Sequence, residues 1–155
     1  MEQEVLIVDY QPQHAAAFRD LNLAWIAAAH TVEEDDLRVL SDPQKYLLAD
    51  GGAIIIALHG ETVVGTCALR KAGEGIFEMT KMTVDSSMRG HSIGRRLCEA
   101  IIGKAKQLGC TTLDLYSNRK GSAAAINMYR SMGFKEIALN PGVYARADIK
   151  MRMEL

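Results

Sequence analysis

At 155 residues, with 48% hydrophobic and 24% charged side chains and a formal net charge of -1, the chain has the make-up of one ordinary globular domain, long enough to bury a core and short for two. So even a charge balance gives no support for general nucleic-acid binding, which brings a marked basic excess. No apolar run approaches the roughly 20 residues that span a bilayer, so no membrane partner is expected.

The opening residues, Met1 to Asp9, carry Glu2, Glu4 and Asp9 and no basic leader before an apolar stretch, so no signal peptide is expected. Glu4 to Asp9, rich in Val and Ile, reads as a first strand. Pro12 then opens a helical stretch in which Phe18, Leu21, Trp25 and Ile26 recur at spacings of three and four. An acidic run, Glu33 to Asp36, leads into Leu37 to Leu48, interrupted by Pro43. Two short helices joined by a loop account for it. From Gly52 the period changes. Ala53 to Leu58 reads as a buried strand, His59-Gly60 as a turn, and Thr62 to Leu69 as the next strand; the turn Ala72 to Gly75 leads to another, Ile76 to Val84. Short turns between them imply an antiparallel meander.

Helical spacing returns after Arg89. Ile93, Leu97, Ile101, Ala105 and Leu108 form one face, Arg96, Glu99, Lys106 and Gln107 the other, and Gly109 is placed as the stop. Thr111 to Tyr116 is a strand feeding a polar loop, Ser117 to Gly121. Ser122 is placed to cap a helix from Ala123 to Met132, which Gly133 ends. Phe134 to Leu139 and Ala147 to Met153 close the chain as two strands joined across Asn140-Pro141-Gly142. With no internal repeat, low-complexity tract or linker, residues 1–155 are expected to form a single α/β domain around a mixed sheet. The cysteines, Cys67, Cys98 and Cys110, are odd in number and make no CxxC pair. They read as buried filler in a reducing cytoplasm, with neither a disulfide nor a metal site expected.

The passage richest in chemistry runs from Val84 to Leu97. A strand ends, a short loop carries Gly90, Ser92 and Gly94, and a helix begins. The first-turn N–H groups of such a helix, with the positive end of its dipole, make an anion site without any special side chain. Helix starts favour acidic residues, yet Arg89, His91, Arg95 and Arg96 crowd this one; each cation costs a few tenths of a kcal/mol up to about 1 kcal/mol against the dipole. A bound polyanion reverses that sign. Solvated surface arginines are the plainer alternative. No GxxxxGK[ST] occurs, and the glycines do not form GxGxxG after a βαβ unit.

This passage resembles the acetyl-CoA motif of the GNAT N-acetyltransferase family: Gln or Arg, two residues, Gly, one residue, then Gly or Ala. Arg89 fills the first place and Gly94 the last, while Ser92 stands where the first Gly is usual. Phe77 to Val84 resembles the family's central strand. Asn118, Ala125, Ile126, Tyr129, Gly133 and Phe134 match its second signature, and Tyr144 to Leu155 resembles its closing strand. The resemblance implies a mostly antiparallel, splayed mixed sheet of about six to seven strands flanked by about four helices. It also implies acetyl-CoA as cosubstrate, coenzyme A as product, and an amine acceptor, which is a small molecule, amino acid, peptide or protein lysine. Homodimers are common among such proteins.

Carried onto this chain, the resemblance places pantetheine against the backbone of Met82, Thr83 and Val84. It places the pyrophosphate at Arg89, Gly90, His91, Ser92, Ile93, Gly94, Arg95 and Arg96, with Asn118 positioning the arm. Tyr129 takes the place of the proton donor to the leaving thiolate, the alternative being a core aromatic. Glu78 is the candidate base for the amine, the alternatives being a plain strand glutamate or a substrate anchor. The acceptor pocket is expected between the first two helices and the closing strands, where Trp25, His30, Glu33, Glu34, Tyr144 and Arg146 stand; Arg146 would suit an acceptor bearing a carboxylate. Two other classes fit the same residues: an acyl-CoA sensor without turnover, and an interaction module that has lost the cofactor.

Overall fold

The computed structural model describes residues 4–88, 90–139 and 144–155; Arg89 and the expected turn at Asn140-Pro141-Gly142 lie outside them. In chain order the elements are β1 (Val5–Asp9), α1 (Ala15–Ala29), α2 (Glu34–Ser41), β2 (Ala53–His59), β3 (Thr62–Gly73), β4 (Ile76–Val84), α3 (Ile93–Gln107), β5 (Thr112–Ser117), α4 (Ala123–Ser131), β6 (Lys135–Ile137) and β7 (Ile149–Glu154). Among the described residues no helix is long and apolar enough to cross a membrane.

Seven strands form one sheet in the order β1-β2-β3-β4-β5-β7-β6. Neighbours are antiparallel except β4 and β5, which run parallel because α3 carries the chain back between them. Alternation along the strands divides the core. Ile55 and Ala57 of β2 face the layer of α3 and α4, with Cys67, Leu69, Leu97, Ile101 and Tyr129. Ile54 and Ile56 face the layer of α1 and α2, with Phe18, Ile26, Val39 and Leu40. All three cysteines are free and buried, and burial pushes the Cys98 thiol up to about 12.

The sheet parts in the middle. β4 pairs with β5 over only four residues, Ile76 with Thr112 through Met79 with Leu115. Beyond Met79 both strands continue, β4 to Val84 and β5 to Ser117, with no pairing between them. A bulge sits where they separate. Thr66 pairs with Thr83 but Ala68 pairs with Thr80, so β4 carries one extra residue. Within it Lys81 adopts φ 53°, the left-handed region that is costly for a side-chain-bearing residue.

Several local expectations change. The buried face of α1 is Phe18, Asn22 and Ile26, so a polar residue sits where the apolar spacing had pointed to Leu21. Leu108 is 42% exposed, because the α3 ladder closes at that turn and the chain bends away. Ser122 precedes α4 but makes no side-chain cap bond; its backbone (φ -122°, ψ 20°) lies off the extended conformation that lets a hydroxyl reach back.

Two close approaches need glycine. A Cβ on Gly65 would lie 2.9 Å from Leu97 Cδ1, where α3 rests on β3. One on Gly52 would lie 2.1 Å from the Leu69 carbonyl oxygen. A leucine tip can shift and a strand carbonyl cannot. Chemical denaturation should therefore show Gly65→Ala costing about 1–3 kcal/mol and Gly52→Ala costing more; the reverse order would refute this account of the packing.

Candidate active site

Where β4 and β5 separate, a cavity of about 440 Å³ runs through the sheet. Its lining comes from both layers: Asn22, Trp25, Ile26 and His30 from α1 and its end, and Gly94, Ala125, Met128 and Tyr129 from α3 and α4. Thr80, Lys81, Met82, Thr83 and Val84 form one long wall; Leu115, Tyr116, Ser117 and Asn118 form the other. Each wall is a strand edge whose facing backbone groups have no strand partner across the gap, a geometry that suits an extended ligand carrying amides.

At the outer end lies the start of α3. Its first intrahelical bond is donated by the Arg96 N–H to Ser92 O at 3.0 Å, so the amides of Ile93, Gly94 and Arg95 precede the ladder. No acidic residue occupies the first turn. Val84, Gly90, Ser92, Gly94, Arg95 and Met128 line an open hollow there. A Cβ on Gly94 would meet nothing closer than Val84 Cγ2 at 3.9 Å, so the fold itself does not demand glycine there and the bare backbone faces the hollow. These features fit a phosphate group.

The side chains at this turn divide. Ile93 is buried in the core, leaving only its amide for a ligand. Arg95 donates to Ser131 and pairs with Glu99 at 3.2 Å. Arg96 donates to the Val5 carbonyl at 2.9 Å. His91 is exposed. Ser92 has φ 58° and makes no cap bond; it occupies a conformation glycine adopts without strain.

On the α1/α2 layer the cavity has a charged floor. Phe77 and Met79 point into the α3/α4 layer, so Glu78 and Thr80 point the other way. Simple alternation would send Lys81 after Met79. The bulge reverses it, and the Lys81 ammonium reaches fully buried Asp36 of α2 at 2.8 Å. The Lys81 carbonyl accepts from Thr66 Oγ1 at 2.7 Å, and Thr66 in turn accepts from Asn22 Nδ2 at 3.0 Å. Both the ammonium and the carbonyl of the bulge residue are therefore held.

Asp36 also receives the Arg146 guanidinium, Nη1 to Oδ2 at 2.8 Å and Nη2 to Oδ1 at 2.9 Å. Arg146 Nη1 also donates to Glu33 at 2.9 Å. Burial would raise the Asp36 pKa; the bonds from Arg146, Lys81 and the Glu33 N–H outweigh it and hold the carboxyl well below the usual carboxylate range. The acidic run is thus not a solvated face. Asp35 binds Arg70 at 2.7 and 3.2 Å, and Glu34 alone of the four stays largely in solvent, 87% exposed at its side chain. Glu33 does not line the cavity; it stands behind Arg146.

Glu78 is buried and accepts from the Tyr144 hydroxyl at 2.7 Å. Burial raises its pKa, partly offset by that bond and by Arg70 and Lys81. The Tyr144 phenol is pushed up by burial and by the Glu78 charge, so it stays a donor. Tyr129, in the opposite layer, is raised strongly by burial. Asn118 uses its amide nitrogen on the Arg146 carbonyl at 2.8 Å, fastening the segment before β7 to the end of β5. Asn22, Asp36, Lys81 and Tyr116 were not among the sequence-derived candidates. Among the described residues no group of three His, Cys, Asp or Glu side chains is placed to hold a metal.

The profile of the acetyltransferase (GNAT) family matches residues 15–134. An uncharacterised N-acetyltransferase of Bacillus subtilis, YvbK, is 26% identical over 72% of this chain and 73% of its own length. Among solved structures, a GNAT-family acetyltransferase from Staphylococcus aureus superposes with a TM-score of 0.87 at 21% identity, covering 97% of this chain and 99% of that one. The PaiA N-acetyltransferase from Thermoplasma acidophilum, solved with coenzyme A, gives 0.74 at 16% identity over 99% and 100%.

Two outcomes are expected from this geometry. Asp36→Asn should cost about 3–5 kcal/mol in urea denaturation at pH 7, because it leaves buried cations unpaired. A carboxyl held below its ordinary value stabilises the fold above roughly pH 4 and loses that contribution as pH falls, since the unfolded chain takes up the proton first; the gap between wild type and variant should narrow below pH 4. Ser92→Gly should instead stabilise by about 0.5–1 kcal/mol, and a loss of stability would contradict the strain assigned to that residue.

Proposed function

This chain belongs to the GNAT acetyltransferase family, and we propose that it moves the acetyl group of acetyl-CoA to a primary amine by direct attack in a ternary complex. Acyl transfer from a coenzyme A donor is the family's chemistry; the acetyl group, the amine and the residue roles are our reading. The observation that carries it is the gap between β4 and β5, with Glu78 on one layer and Tyr129 on the other. Bound acetyl-CoA supplies an acetyl carbon activated as a thioester. The exposed edge at Met82 to Val84 would hold the donor's amides, and the amides of Ile93, Gly94 and Arg95 its pyrophosphate. The structure of PaiA with coenzyme A supports a donor in this fold.

A lysine-like amine, with a pKa near 10.4, is neutral in only about one molecule in a thousand near neutral pH, a handicap of roughly 4 kcal/mol. Glu78 would accept that proton, and burial raises its affinity for it. As the nitrogen bonds to the acetyl carbon, the carbon–sulfur bond breaks; the second proton shed by the nitrogen passes to the departing thiolate, and coenzyme A leaves as the thiol. Tyr129 would donate a hydrogen bond to the sulfur. A phenol near 10 against a thiol near 8.5 already makes full proton transfer uphill by about 2 kcal/mol, and burial moves Tyr129 further up. Its contribution is therefore stabilisation of developing charge, not a completed proton transfer.

Coenzyme A release across a panel of amines tests the reaction. Glu78→Gln should lower kcat/KM about 10²- to 10³-fold. In wild type, kcat/KM should rise with pH through a limb lying above the usual glutamate value near 4.3, and that limb should vanish in the variant. Tyr129→Phe should reduce kcat by about tenfold. Tight binding of coenzyme A with no turnover of any amine would defeat the proposal.

A further inference from the structure

The cavity wall carries two full cations, Lys81 and Arg146, and an arginine in such a place ordinarily clamps a substrate carboxylate. Here it is already occupied. Both terminal nitrogens of Arg146 bind Asp36, and Nη1 also binds Glu33. The Lys81 ammonium is spent on the same Asp36. Against the two cations stand two carboxylates behind the wall, and Glu78 adds a third facing the cavity. An entering carboxylate meets no uncommitted guanidinium or ammonium among the described lining residues, and it faces the Glu78 charge.

This face also carries two aromatic pairs. Trp25 and His30 form one ring pair at 5.8 Å, and Tyr116 and Tyr144 form another at 5.7 Å. The Arg146 guanidinium lies 5.0 Å from the centre of the Tyr144 ring, so the tyrosine pair is braced by the same charge cluster. A second cation on the acceptor, as in a polyamine, would need another carboxylate in the lining. Glu33 and Asp36 are turned to Arg146 and do not line the cavity.

From this we infer that the acceptor is an amine on an uncharged aromatic body, and that the Glu33–Asp36–Arg146 cluster selects against acceptors bearing a carboxylate. The inference rests on the transfer to an amine proposed above.

Phenethylamine, phenylalaninol and phenylalanine share one ring and one amine; only the last carries a carboxylate. At pH 8 the first two should exceed phenylalanine in kcat/KM by at least tenfold, and should exceed spermidine. Glu33→Gln keeps the accepting oxygen but removes the charge, leaving Arg146 underneutralised. It should narrow the gap between phenylalaninol and phenylalanine severalfold. Equal or better use of phenylalanine by wild type overturns the inference, as does a preference for spermidine or an unchanged gap in the variant. In those cases acetyl transfer itself stands, whereas coenzyme A binding without turnover of any of the four, or of any other amine, removes both.

Discussion

One buried carboxylate organises the working part of this molecule. Asp36 joins three segments remote in sequence: α2, the bulge of β4, and the chain entering β7. Such a cluster is a poor source of net stability, because taking ions out of water costs nearly as much as their attraction returns. What it supplies is position. The ammonium of Lys81 can reach Asp36 only if β4 carries its extra residue. The left-handed backbone at that residue is tolerated because its carbonyl and side chain are both tied down. The bulge lies where β4 leaves β5, so the same ion pair that fixes α2 also stands at the mouth of the gap.

The two layers meeting at that gap differ in what they present. The α3/α4 side offers backbone amides, a helix start and a strand edge, features that most side-chain substitutions leave intact. The α1/α2 side offers rings, contributed by Trp25, His30, Tyr116 and Tyr144, set against neutralised charges. One activated donor and many acceptors are therefore compatible with a single architecture. Tyr129 and Glu78 stand on opposite layers, which would put the leaving sulfur and the amine proton on opposite sides of the reacting carbon.

Much of the scaffold was legible in the sequence because it is written in local periods. The strands β2 and β3 and, Leu108 apart, the apolar stripe of α3 appear where expected, and Ser92 stood out as the odd residue in its loop. The charge cluster did not announce itself. Asp36 lies in a run of four acidic residues, and nothing local distinguishes the one that is buried from Glu34, which is not. The distinction is made by Arg146, 110 positions away. Lys81 was hidden by a different mechanism: strand alternation assigns it to the wrong layer, and only the bulge corrects this. Asn22 played no part in the apolar spacing of its helix, yet its amide closes a chain of bonds to the Lys81 carbonyl. Arg146, read from the sequence as suited to a carboxylate, has bonding partners already within the fold.

The four-residue pairing of β4 with β5 also has a mechanical side. The sheet is effectively two leaves, β1 to β4 and β5 with β7 and β6, stitched along a seam about one-half the length of the strands it joins. An occupant lying in the seam would add the missing rungs of the ladder, so that catalysis and cohesion share one set of backbone groups. Bound coenzyme A would then hold the leaves together by mass action.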